Sequence, residues 1–414
     1  MKLKKEFKRD RKIGLLVAAN APVPDVLGGG AERLVTMLIN ENEKQCNVEL
    51  VVFSVYSKEA IKQTAKYQNT SFFFFRTGTI LDKCYNLLIR LANKIFPQLK
   101  ILKHGYYRNI SKIIRNQDLD FVIDENGYVP ELFYIEKAVG KEKLAAHIHW
   151  DVDPVEASVD GLYGSIIGVS NYIANSWKQR SNDSSLIEKT VYSAVDEARF
   201  SIKLEESSKR KLRKKWGIAE NDLVFIYCGR IAEQKGVKEL VQAFMKIHHS
   251  GIKLLIVGGE NLKYQKKSDF FEELTNSNAK NVIFTGYVDN NLLYQFYQIA
   301  DIQVIPTLIE EAAGLVAIEG LLSGLPLIVT DSGGLVEYVD NNCALIVKRN
   351  NLTENLSNAM ELLVLNENLR YEMSVAALKR GKIYRQEKYY KSFLACIDEI
   401  ITETEKRKVL NVEK

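Results

Sequence analysis

Residues 302–319 read IQVIPTLIEEAAGLVAIE, a stretch that joins an apolar strand pattern, a loop and a helix pattern. The run 302–306 is apolar enough to lie in the interior of a parallel sheet. Glu311 follows in the loop, and Glu319 lies about two turns into the following helix if that helix begins near Ala312. A strand that leads through a loop into a helix is the repeating unit of a doubly wound α/β domain.

The same alternation of strand and helix patterns extends in both directions from this stretch. In the second half of the chain, strand patterns occur at 223–229, 252–259, 281–288, 302–306, 325–331 and 343–347. In the first half, they occur at 12–20, 48–55, 71–75, 121–124, 144–150 and 165–170. Helix patterns lie between them, so the sequence predicts two Rossmann-like α/β domains.

The boundary between these domains is expected where TVYSAVDEARF gives way to the charged stretch 203–215. We therefore predict an N-terminal domain over 1–198 and a C-terminal domain over 199–387, with a last helix at about 388–414 that packs back on the first domain. Two such domains that face each other place a ligand in the cleft between them, at the carboxyl ends of both sheets.

Composition and charge exclude several classes of protein. The chain has 414 residues, 46% hydrophobic and 26% charged, a balance typical of globular proteins. The net charge of +5 is small for a nucleic-acid binder, and residues 1–12 alone hold seven basic and two acidic groups. The longest uncharged stretch, 161–177, is a poor membrane span, and no signal-peptide pattern follows the basic start. Five widely spaced cysteines without a C-x-x-C pair favour a reducing cytoplasm and no structural zinc.

Two cations and a helix start predict an anion site in the second domain. Arg230 directly follows the strand pattern 223–229, and Lys235 lies five residues further on. An Arg fork and a Lys charge at the carboxyl end of a strand suit a diphosphate. The helix start near Gly314 adds unpaired N–H groups and a positive dipole end, which also favour a phosphate.

Carboxylates and glycines surround this expected anion site. Glu311 and Glu319 flank it, and carboxylate oxygens suit the hydroxyls of a sugar and a ribose. The glycine pairs at 258–259 and 333–334 each lie just beyond a strand, where the missing side chain lets the backbone approach a ligand closely.

These motifs together resemble those of the retaining GT-B glycosyltransferases of family four. The resemblance rests on Glu311 and Glu319 in the E-x7-E pattern and on Arg230 and Lys235 in G-R-x4-K-G. The F-T-G-Y-V strand and the late G-L-P-L-I-V-T-D-S-G-G-L-V-E segment add to it. It covers essentially the whole chain, more strongly after about residue 190, and implies the GT-B fold, in which two facing Rossmann-like domains enclose a cleft.

The resemblance also implies a role for each matched residue of the second domain. Glu319 is expected to bind the ribose hydroxyls of a nucleotide-sugar, and Glu311 the transferred sugar. Arg230 and Lys235 are expected to neutralise the diphosphate. The backbone amides of Gly314 and Leu315 assist them, Gly258 lies against the donor, and Tyr287 and Val288 lie against the base.

In the first domain, the resemblance implies that Gly29 and Gly30 close over the phosphates. A histidine that ends a strand is expected over the sugar, and the match falls on His149 in H-I-H-W-D. His147 has the same strand parity and is the rival. The expected catalytic residues are therefore His149 together with Glu311, Arg230 and Lys235.

The implied reaction is a front-face transfer with retention, which needs no protein nucleophile. The leaving diphosphate oxygen accepts the acceptor's proton, and the site stabilises charge on the leaving group. No D-x-D pattern lies near the site motifs, although residues 151–153 match it in the other domain. The expected ligand is a UDP- or GDP-sugar, with no cofactor and no metal.

A basic and apolar segment indicates where the acceptor is expected to bind. Residues 83–115 hold eight Lys or Arg among apolar residues. With residues 1–12 they form an expected face for anionic lipid headgroups, the alternative being an ordinary solvated helix face. The implied function is sugar transfer to a glycan or lipid-linked acceptor in bacterial capsular polysaccharide or lipopolysaccharide biosynthesis, in the cytoplasm and peripherally at the inner face of the membrane.

Two other functions remain open at this point. A nucleotide-sugar epimerase shares the architecture and requires acid/base carboxylates, but it does not usually carry E-x7-E with G-R-x4-K-G. A non-catalytic partner subunit keeps the fold, but it is expected to have lost the diphosphate cations or the glutamates. A nicotinamide dehydrogenase is disfavoured, because no G-x-G-x-x-G follows the first strand pattern of either domain.

Overall fold

The computed structural model describes residues 11–96, 98, 101–103, 105–260, 269–275 and 281–412. It divides into two compact units, Met1–Tyr192 with Gln386–Lys414, and Ser193–Arg385. The division lies at 192/193, whereas the predicted boundary lies at 198/199. The short helix Glu197–Phe200 belongs to the second unit, where the Phe200 ring packs edge-on against Tyr297 with centroids 5.6 Å apart.

The first unit is built on a seven-stranded sheet in which every pairing is parallel. Its strands are β1 (Lys12–Val17), β2 (Glu49–Val55), β3 (Thr70–Phe75), β4 (Phe121–Glu125), β5 (Leu144–Ile148), β6 (Ser165–Gly168) and β7 (Ile187–Thr190). Their order is β3-β2-β1-β4-β5-β6-β7. The sequence patterns missed β7, because this edge strand reads IEKT and lacks the apolar run of a strand buried on both faces.

Among the described residues of the first unit, six α-helices lie between these strands in the chain. They are α1 (Gly30–Gln45), α2 (Lys58–Thr64), α3 (Ile80–Ile95), α4 (Tyr106–Ile114), α5 (Phe133–Val139) and α6 (Asn171–Arg180). α1 buries an apolar stripe that includes Leu34, Val35 and Leu38. Burial of such a stripe supplies most of the stability of a helix in a protein.

The second unit contains a six-stranded sheet, and each of its strands lies within one of the six predicted strand patterns. The strands are β8 (Leu223–Cys228), β9 (Ile252–Val257), β10 (Val282–Gly286), β11 (Ile302–Ile305), β12 (Leu327–Thr330) and β13 (Ala344–Val347). Their order is β10-β9-β8-β11-β12-β13, again with parallel pairing. The predicted fold class, two doubly wound α/β domains, is confirmed.

The helices of the second unit alternate with its strands, and the last helix of the chain returns to the first unit. The helices of the second unit are α7 (Glu197–Phe200), α8 (Glu206–Lys215), α9 (Val237–Met245), α10 (Asp269–Thr275), α11 (Leu293–Tyr297), α12 (Leu315–Ser323), α13 (Leu335–Tyr338), α14 (Leu352–Leu365) and α15 (Glu367–Gly381). The last helix, α16 (Gln386–Val412), packs on α1, where the Tyr390 hydroxyl donates to Asn42 Oδ1 at 2.7 Å.

Each sheet reverses its strand order at one point, between β1 and β4 in the first unit and between β8 and β11 in the second. Doubly wound proteins bind ligands at the carboxyl ends of the strands at such switch points. The loops after these four strands therefore locate the candidate sites. Among the helices of the described residues, none is both long and apolar enough to span a membrane.

Candidate active site

In the second unit, two loops leave adjacent strands at the switch point. β8 and β11 pair in parallel, with Phe225 opposite Ile302. The loop after β8 carries Arg230 and Lys235, and the loop after β11 carries Glu311. Parallel strands end at the same edge of the sheet, so the topology brings together residues that lie far apart in the chain.

Lys235 and Glu311 form an ion pair at this edge. The Lys235 Nζ donates to the Glu311 Oε1 at 2.5 Å, and the two side chains remain 23% and 22% exposed. The loops beneath them are joined, since the Leu308 N–H donates to the Gln234 carbonyl at 2.9 Å. The residues predicted for the diphosphate and the sugar therefore neutralise each other, and both keep surface for a further partner.

A cavity of about 240 Å³ opens beside Arg230. Four predicted residues line it, Arg230, Gly258, Tyr287 and Val288, and the other lining residues are Cys228, Gly229, Val257, Gly259, Glu260, Asn290 and Leu293. A Cβ on Gly258 would lie 1.8 Å from the Gly229 carbonyl oxygen, so this wall admits only glycine. A mainly apolar concavity with a few polar groups suits a planar base better than an anion.

The start of α12 leaves N–H groups for an anion. α12 begins at Leu315 with Gly314 as its N-cap, and no side chain caps it. Its first N–H groups have no partner within the helix and carry the positive end of the dipole. The sequence placed Glu319 about two turns into this helix, but Glu319 is the fifth residue and lies little more than one turn from the start. The expected start was too early because residues 312 and 313 remain in the loop.

Glu319 is held by a tyrosine that the sequence analysis did not include. Glu319 is 8% exposed, and its Oε2 accepts a hydrogen bond from the Tyr297 hydroxyl at 2.8 Å. Burial, followed by the nearby Cys228 and Glu319, raises the pKa of Tyr297 well above its ordinary value, so the phenol remains a donor. The helix pattern NLLYQFYQIA contained Tyr297, but the pattern does not show which ring faces the carboxylate.

A buried serine fixes the loop that carries Glu311. The Ser332 hydroxyl accepts from the Glu311 N–H at 3.0 Å and donates to the Ile309 carbonyl at 2.5 Å. The Gly334 N–H donates to the Glu311 carbonyl at 2.7 Å. The turn after β12, which contains Ser332 and the predicted glycine pair 333–334, therefore holds the Glu311 backbone in place. The sequence analysis missed Ser332, although it adjoins that pair.

In the first unit, both rival histidines meet one carboxylate. β4 and β5 pair with Glu125 opposite His147. The Glu125 Oε2 lies 3.0 Å from the His147 Nδ1 and 2.8 Å from the His149 Nε2. The His147 side chain is wholly buried, whereas that of His149 is 9% exposed, so of these two rings only His149 has surface for a ligand. Glu125 was missed, although it is the last residue of β4 at the switch point.

The surroundings set the charges of this cluster. Burial raises the pKa of the Glu125 carboxyl, but the charges and hydrogen bonds of His147 and His149 outweigh it and hold the pKa at about 2. Burial and then the neighbouring His147 lower the pKa of His149, and the bond to Glu125 opposes this only in part. At neutral pH, Glu125 is therefore ionised and His149 is neutral.

The glycine loop of the first unit lies beside an acidic side chain. Gly29 is the N-cap of α1, and Gly30 is its first residue. A Cβ on Gly29 would lie 1.9 Å from the Glu32 Oε2, so the glycine makes room for this carboxyl. Burial raises the pKa of Glu32, and the charges of Asp25 and Glu125 add to this. The pair predicted to close over phosphates thus adjoins a carboxyl that the sequence analysis did not consider.

Two groups of side chains in the first unit have the residue types that can bind a metal ion. The donor atoms of Glu125, His147 and His149 lie within 4.8 Å of one another. Their O–N separations of 2.8 and 3.0 Å are hydrogen-bond distances, whereas zinc with bonds of about 2.0–2.1 Å keeps tetrahedral ligand atoms about 3.3 Å apart. In the D-x-D segment, Asp151 accepts from a serine and an arginine of α6, and Asp153 accepts from two backbone N–H groups.

Relatives among known proteins share part of this sequence. An uncharacterized glycosyltransferase of Methanocaldococcus jannaschii is 30% identical over 154 residues, which cover 36% of this chain and 38% of that protein. The lipopolysaccharide 1,2-N-acetylglucosaminetransferase of Salmonella typhimurium is 30% identical over 207 residues, which cover 48% of this chain and 51% of that protein. The chain thus spans about half or less of the length of these relatives.

Solved structures share the fold over nearly the whole chain. HepE of Anabaena, in complex with UDP, superposes with a TM-score of 0.71 at 16% identity and covers 94% of this chain and 100% of that one. A glycosyltransferase of Rickettsia africae gives a TM-score of 0.73 at 18% identity, with 95% and 99% covered. At these identities the likeness concerns the fold.

The two doubly wound units have the GT-B fold that these solved structures share. Residues 208–380, which contain Arg230, Lys235, Glu311 and Glu319, match the family described as Glycosyl transferases group 1. The chain is similar to that family over this segment of the second unit. The resemblance to GT-B glycosyltransferases that the motifs predicted is confirmed.

Proposed function

We propose that this protein is a retaining glycosyltransferase that moves a sugar from a UDP- or GDP-sugar to a glycan or lipid-linked acceptor. One observation carries the proposal: within the matched domain, the Lys235–Glu311 pair, the uncapped start of α12 and the cavity beside Arg230 lie at one switch point. HepE, which shares the fold, has been solved with UDP and with UDP-glucose, which supports a nucleotide-sugar donor.

In the proposed complex, each part of the donor meets a different part of this site. The base enters the cavity against Tyr287 and Val288, and Glu319 binds the ribose hydroxyls. The diphosphate lies at the start of α12, where Arg230 and Lys235 supply positive charge. Glu311 then turns from Lys235 towards the hydroxyls of the transferred sugar.

The proposed chemistry keeps the configuration of the anomeric carbon. The bond from this carbon to the diphosphate oxygen breaks while the acceptor oxygen forms its bond on the same face. The acceptor's proton passes to the departing diphosphate oxygen, so no covalent enzyme intermediate forms. Arg230, Lys235 and the N–H groups of α12 stabilise the charge that develops on the diphosphate, and we propose that they do so without a metal.

The proposed biological setting is the assembly of a bacterial surface polysaccharide in the cytoplasm. The Salmonella relative acts on lipopolysaccharide by its name. A second relative, the capsular polysaccharide biosynthesis glycosyltransferase CapM of Staphylococcus aureus, is 30% identical over 174 residues. Both names support a glycan or lipid-linked acceptor.

Calorimetry with nucleoside diphosphates tests the donor site. We expect UDP or GDP to bind, and Lys235→Ala to weaken that binding about 10- to 150-fold, because a charged hydrogen bond contributes about 1.5–3 kcal/mol. Lys246→Ala is the matched control, since Lys246 also pairs with a glutamate, Glu354, but lies at the opposite end of α9. Equal effects of the two variants, or no nucleotide binding, would refute the site.

The metal-free reaction has its own test. We expect turnover to persist in excess EDTA, and turnover that is lost in EDTA and restored by magnesium would refute the metal-free reaction.

α3 supports the proposed contact with a membrane. Its apolar residues Ile80, Leu81, Leu87, Leu88, Leu91 and Ile95 are each half or more exposed. At 100° per residue they fall on one side of the helix. The exposed cations Lys83, Arg90 and Lys94 lie along one flank of that side. An apolar face with flanking cations is the pattern of a helix that lies in a membrane interface.

The rest of the predicted membrane face is only partly within the described residues. Lys103, Arg108, Lys112 and Arg115 are exposed. Lys100 and residues 1–10 lie outside the described residues. We propose that α3 provides the main contact with an anionic membrane, and that these further cations add attraction that salt screens.

Sedimentation with vesicles tests the membrane contact. We expect the protein to pellet with phosphatidylserine vesicles at low salt and to be released at high salt. Leu88→Glu should abolish the binding, because it places a charge in the centre of the apolar face. Leu365→Glu is the control, since Leu365 is 69% exposed on α14. If both variants bind the vesicles equally, or if the wild-type protein binds neutral vesicles as well as anionic ones, the face of α3 is an ordinary solvated helix face.

A further inference from the structure

The indole ring of Trp150 is held in place by the first unit but is not covered by it. Trp150 is the second residue after β5, and it is 52% exposed. Its Nε1–H donates to the Asn126 Oδ1 at 2.5 Å, and its ring centroid lies 5.9 Å from that of Tyr128, with the ring planes tilted by 57°. Water could satisfy the N–H of a half-exposed indole, so the bond to Asn126 is not needed for burial, but it fixes the plane of the ring.

The groups that support this ring come from the loop after β4. Asn126 directly follows β4 and has a φ of +70°, a backbone conformation that Asn adopts more readily than most residues. Tyr128 is 5% exposed, its hydroxyl donates to the His147 carbonyl, and its ring packs against Trp177 with centroids 5.8 Å apart. The ring of Trp150 therefore rests on fixed groups and presents its remaining surface to solvent.

The next residue, Asp151, provides a fixed hydrogen-bond acceptor. Its Oδ1 accepts from the Ser176 hydroxyl at 3.1 Å and from the Arg180 guanidinium, both on α6. Its Oδ2 has no hydrogen-bond partner among the described residues, and the side chain is 41% exposed. Since the Cα atoms of adjacent residues lie about 3.8 Å apart, one small ligand can reach both the ring and the carboxylate.

The charge of the surrounding loop indicates which kind of ligand fits. Residues 149–164 join β5 to β6 and hold the carboxylates of Asp151, Asp153, Glu156 and Asp160 but no Lys or Arg. Such a loop repels phosphates and anionic lipid headgroups. A pyranose is uncharged, and the C–H groups on one side of its ring suit the negative face of an aromatic ring. Its hydroxyls donate to a carboxylate, so a neutral sugar matches both groups.

We propose that Trp150 and Asp151 form a carbohydrate subsite of the first unit, in which a pyranose stacks on the indole ring and donates a hydroxyl to the Asp151 Oδ2. The statement that this pyranose belongs to the acceptor rests on the proposed function. The acceptor is then a glycan or the sugar part of a lipid-linked glycan, rather than a lipid alone. All the residues that form the subsite belong to the first unit.

Saturation-transfer NMR with simple glycosides tests the subsite. The probes are the methyl β-glycosides of glucose, galactose and N-acetylglucosamine, each with excess UDP present to occupy the donor site. We expect the ring C–H protons of at least one glycoside to receive saturation from the wild-type protein and to lose it with Trp150→Ala. Trp150→Phe keeps an aromatic face and should retain part of the signal. Tyr371→Ala is the control, because Tyr371 is another exposed ring, 72% exposed, on α15 of the second unit.

Two further variants distinguish a sugar platform from a structural role of Trp150. Asn126→Gly permits the same backbone conformation but removes the acceptor of the indole N–H, and Asp151→Asn replaces one carboxylate oxygen by an NH₂ donor. We expect each to weaken glycoside binding about 2- to 13-fold, the effect of one hydrogen bond. Thermal unfolding shows whether each variant is folded. A structural role would lower the unfolding temperature of Trp150→Ala and leave the glycoside signals of the folded protein unchanged.

Other outcomes would overturn the subsite and are distinct from failure of the proposed function. The subsite is refuted if no glycoside signal depends on Trp150, or if Tyr371→Ala removes the signals equally. Choline is the competing probe, since an aromatic ring among carboxylates also suits a cation. Contact of Trp150 with choline but with none of the glycosides would show a cation site instead. If glycosides contact Trp150 but no nucleotide binds, the glycosyltransferase proposal fails while the carbohydrate subsite stands.

Discussion

Glu311 and Glu319 have different partners in the fold, and this separates the effects expected of their variants. Glu319 is buried against Tyr297, and its bond to the ribose would be present with donor and with free nucleotide alike. Glu311 is paired with Lys235 and would meet only the sugar. Because Glu311 pairs with Lys235, removal of the Glu311 side chain would also leave Lys235 free to contact the diphosphate.

The two variants should therefore differ in nucleotide binding. We expect Glu319→Ala to weaken nucleoside diphosphate binding about 10- to 150-fold. Glu311→Ala should leave this affinity unchanged or higher and lower turnover, because its interaction is made mainly in the transition state. Calorimetry and a turnover assay measure both effects. Glu310→Ala is the control, as Glu310 pairs with Arg349. If Glu311→Ala weakens nucleotide binding as much as Glu319→Ala, the assignment of the sugar contact is wrong.

Asp124 gives the first unit a pH-dependent stability. The side chain is wholly buried, and its Oδ2 accepts from the Tyr163 hydroxyl at 2.8 Å. Burial raises the pKa of Asp124 to about 7, although the Tyr163 bond opposes the shift. A carboxyl whose pKa is higher in the folded state contributes stability at low pH, and this contribution is lost as pH rises through the folded pKa.

Asp124→Asn should remove this dependence. Relative to the wild type, we expect the free energy of unfolding of the variant to rise by about 2–3 kcal/mol between pH 5 and pH 8. The Asp124 carboxyl of the unfolded wild type is ionised over this range, whereas that of the folded protein stays protonated up to about pH 7. Each pH unit of that difference is worth about 1.36 kcal/mol. Urea unfolding at both pH values measures the difference. The same difference at both pH values would show that Asp124 remains ionised in the folded protein.

Among the connecting loops, the turn from β8 into α9 depends on a close approach of two backbones. Gly236 has a φ of +67°, and a Cβ there would lie 1.9 Å from the Pro306 carbonyl oxygen. The loop after β8 thus packs directly against the end of β11, and this contact brings Lys235 to Glu311. Gly217 has the same φ of +67° but nothing within 4 Å of its Cβ position.

This pair of glycines separates backbone strain from steric contact. Gly217→Ala should lower the free energy of unfolding by about 1–2 kcal/mol, because alanine is strained in the left-handed backbone conformation. Gly236→Ala should lower the free energy of unfolding by about 1–3 kcal/mol more than Gly217→Ala, because the loops after β8 and β11 must separate. It should also weaken nucleotide binding. Thermal unfolding and calorimetry measure both effects. Equal costs would mean that the loop adapts without moving the site.

In the chain as a whole, the last helix belongs to the first unit although it follows the second in sequence. Phe393 of α16 is 2% exposed, and its ring centroid lies 5.7 Å from that of His147. The first unit thus includes a helix that is made after the second unit is complete. This helix contributes one wall of the cluster around Glu125.

Phe393→Ala should destabilise the first unit by about 3–5 kcal/mol, the usual cost of removing a large buried ring. We expect amide hydrogen exchange to accelerate in β1, β4 and β5 and to stay unchanged in β8–β13. Leu410→Ala is the control on the same helix, since Leu410 is 61% exposed. Faster exchange in both sheets would show that the two units unfold together.

Much of the fold and part of the site could be predicted because their signals are local. Strands buried on both faces, such as β8 and β9, are continuous apolar runs in the sequence. The loop residues Arg230, Lys235 and Glu311 could be named because they immediately follow such strands at the switch point. β7 escaped prediction because an edge strand is buried on fewer sides, so polar residues are tolerated there.

The sequence by itself determined the two doubly wound domains, the alternation of their strands and helices along the chain, and the motif residues of the proposed nucleotide-sugar site. Only the tertiary structure decided which side chains face one another: Lys235 with Glu311, Tyr297 with Glu319, and Glu125 with both histidines. The physical reason is that periodicity and turn chemistry act over a few residues. Partners of a buried charge are set instead by the register between strands and by helix packing, which join positions far apart in the chain.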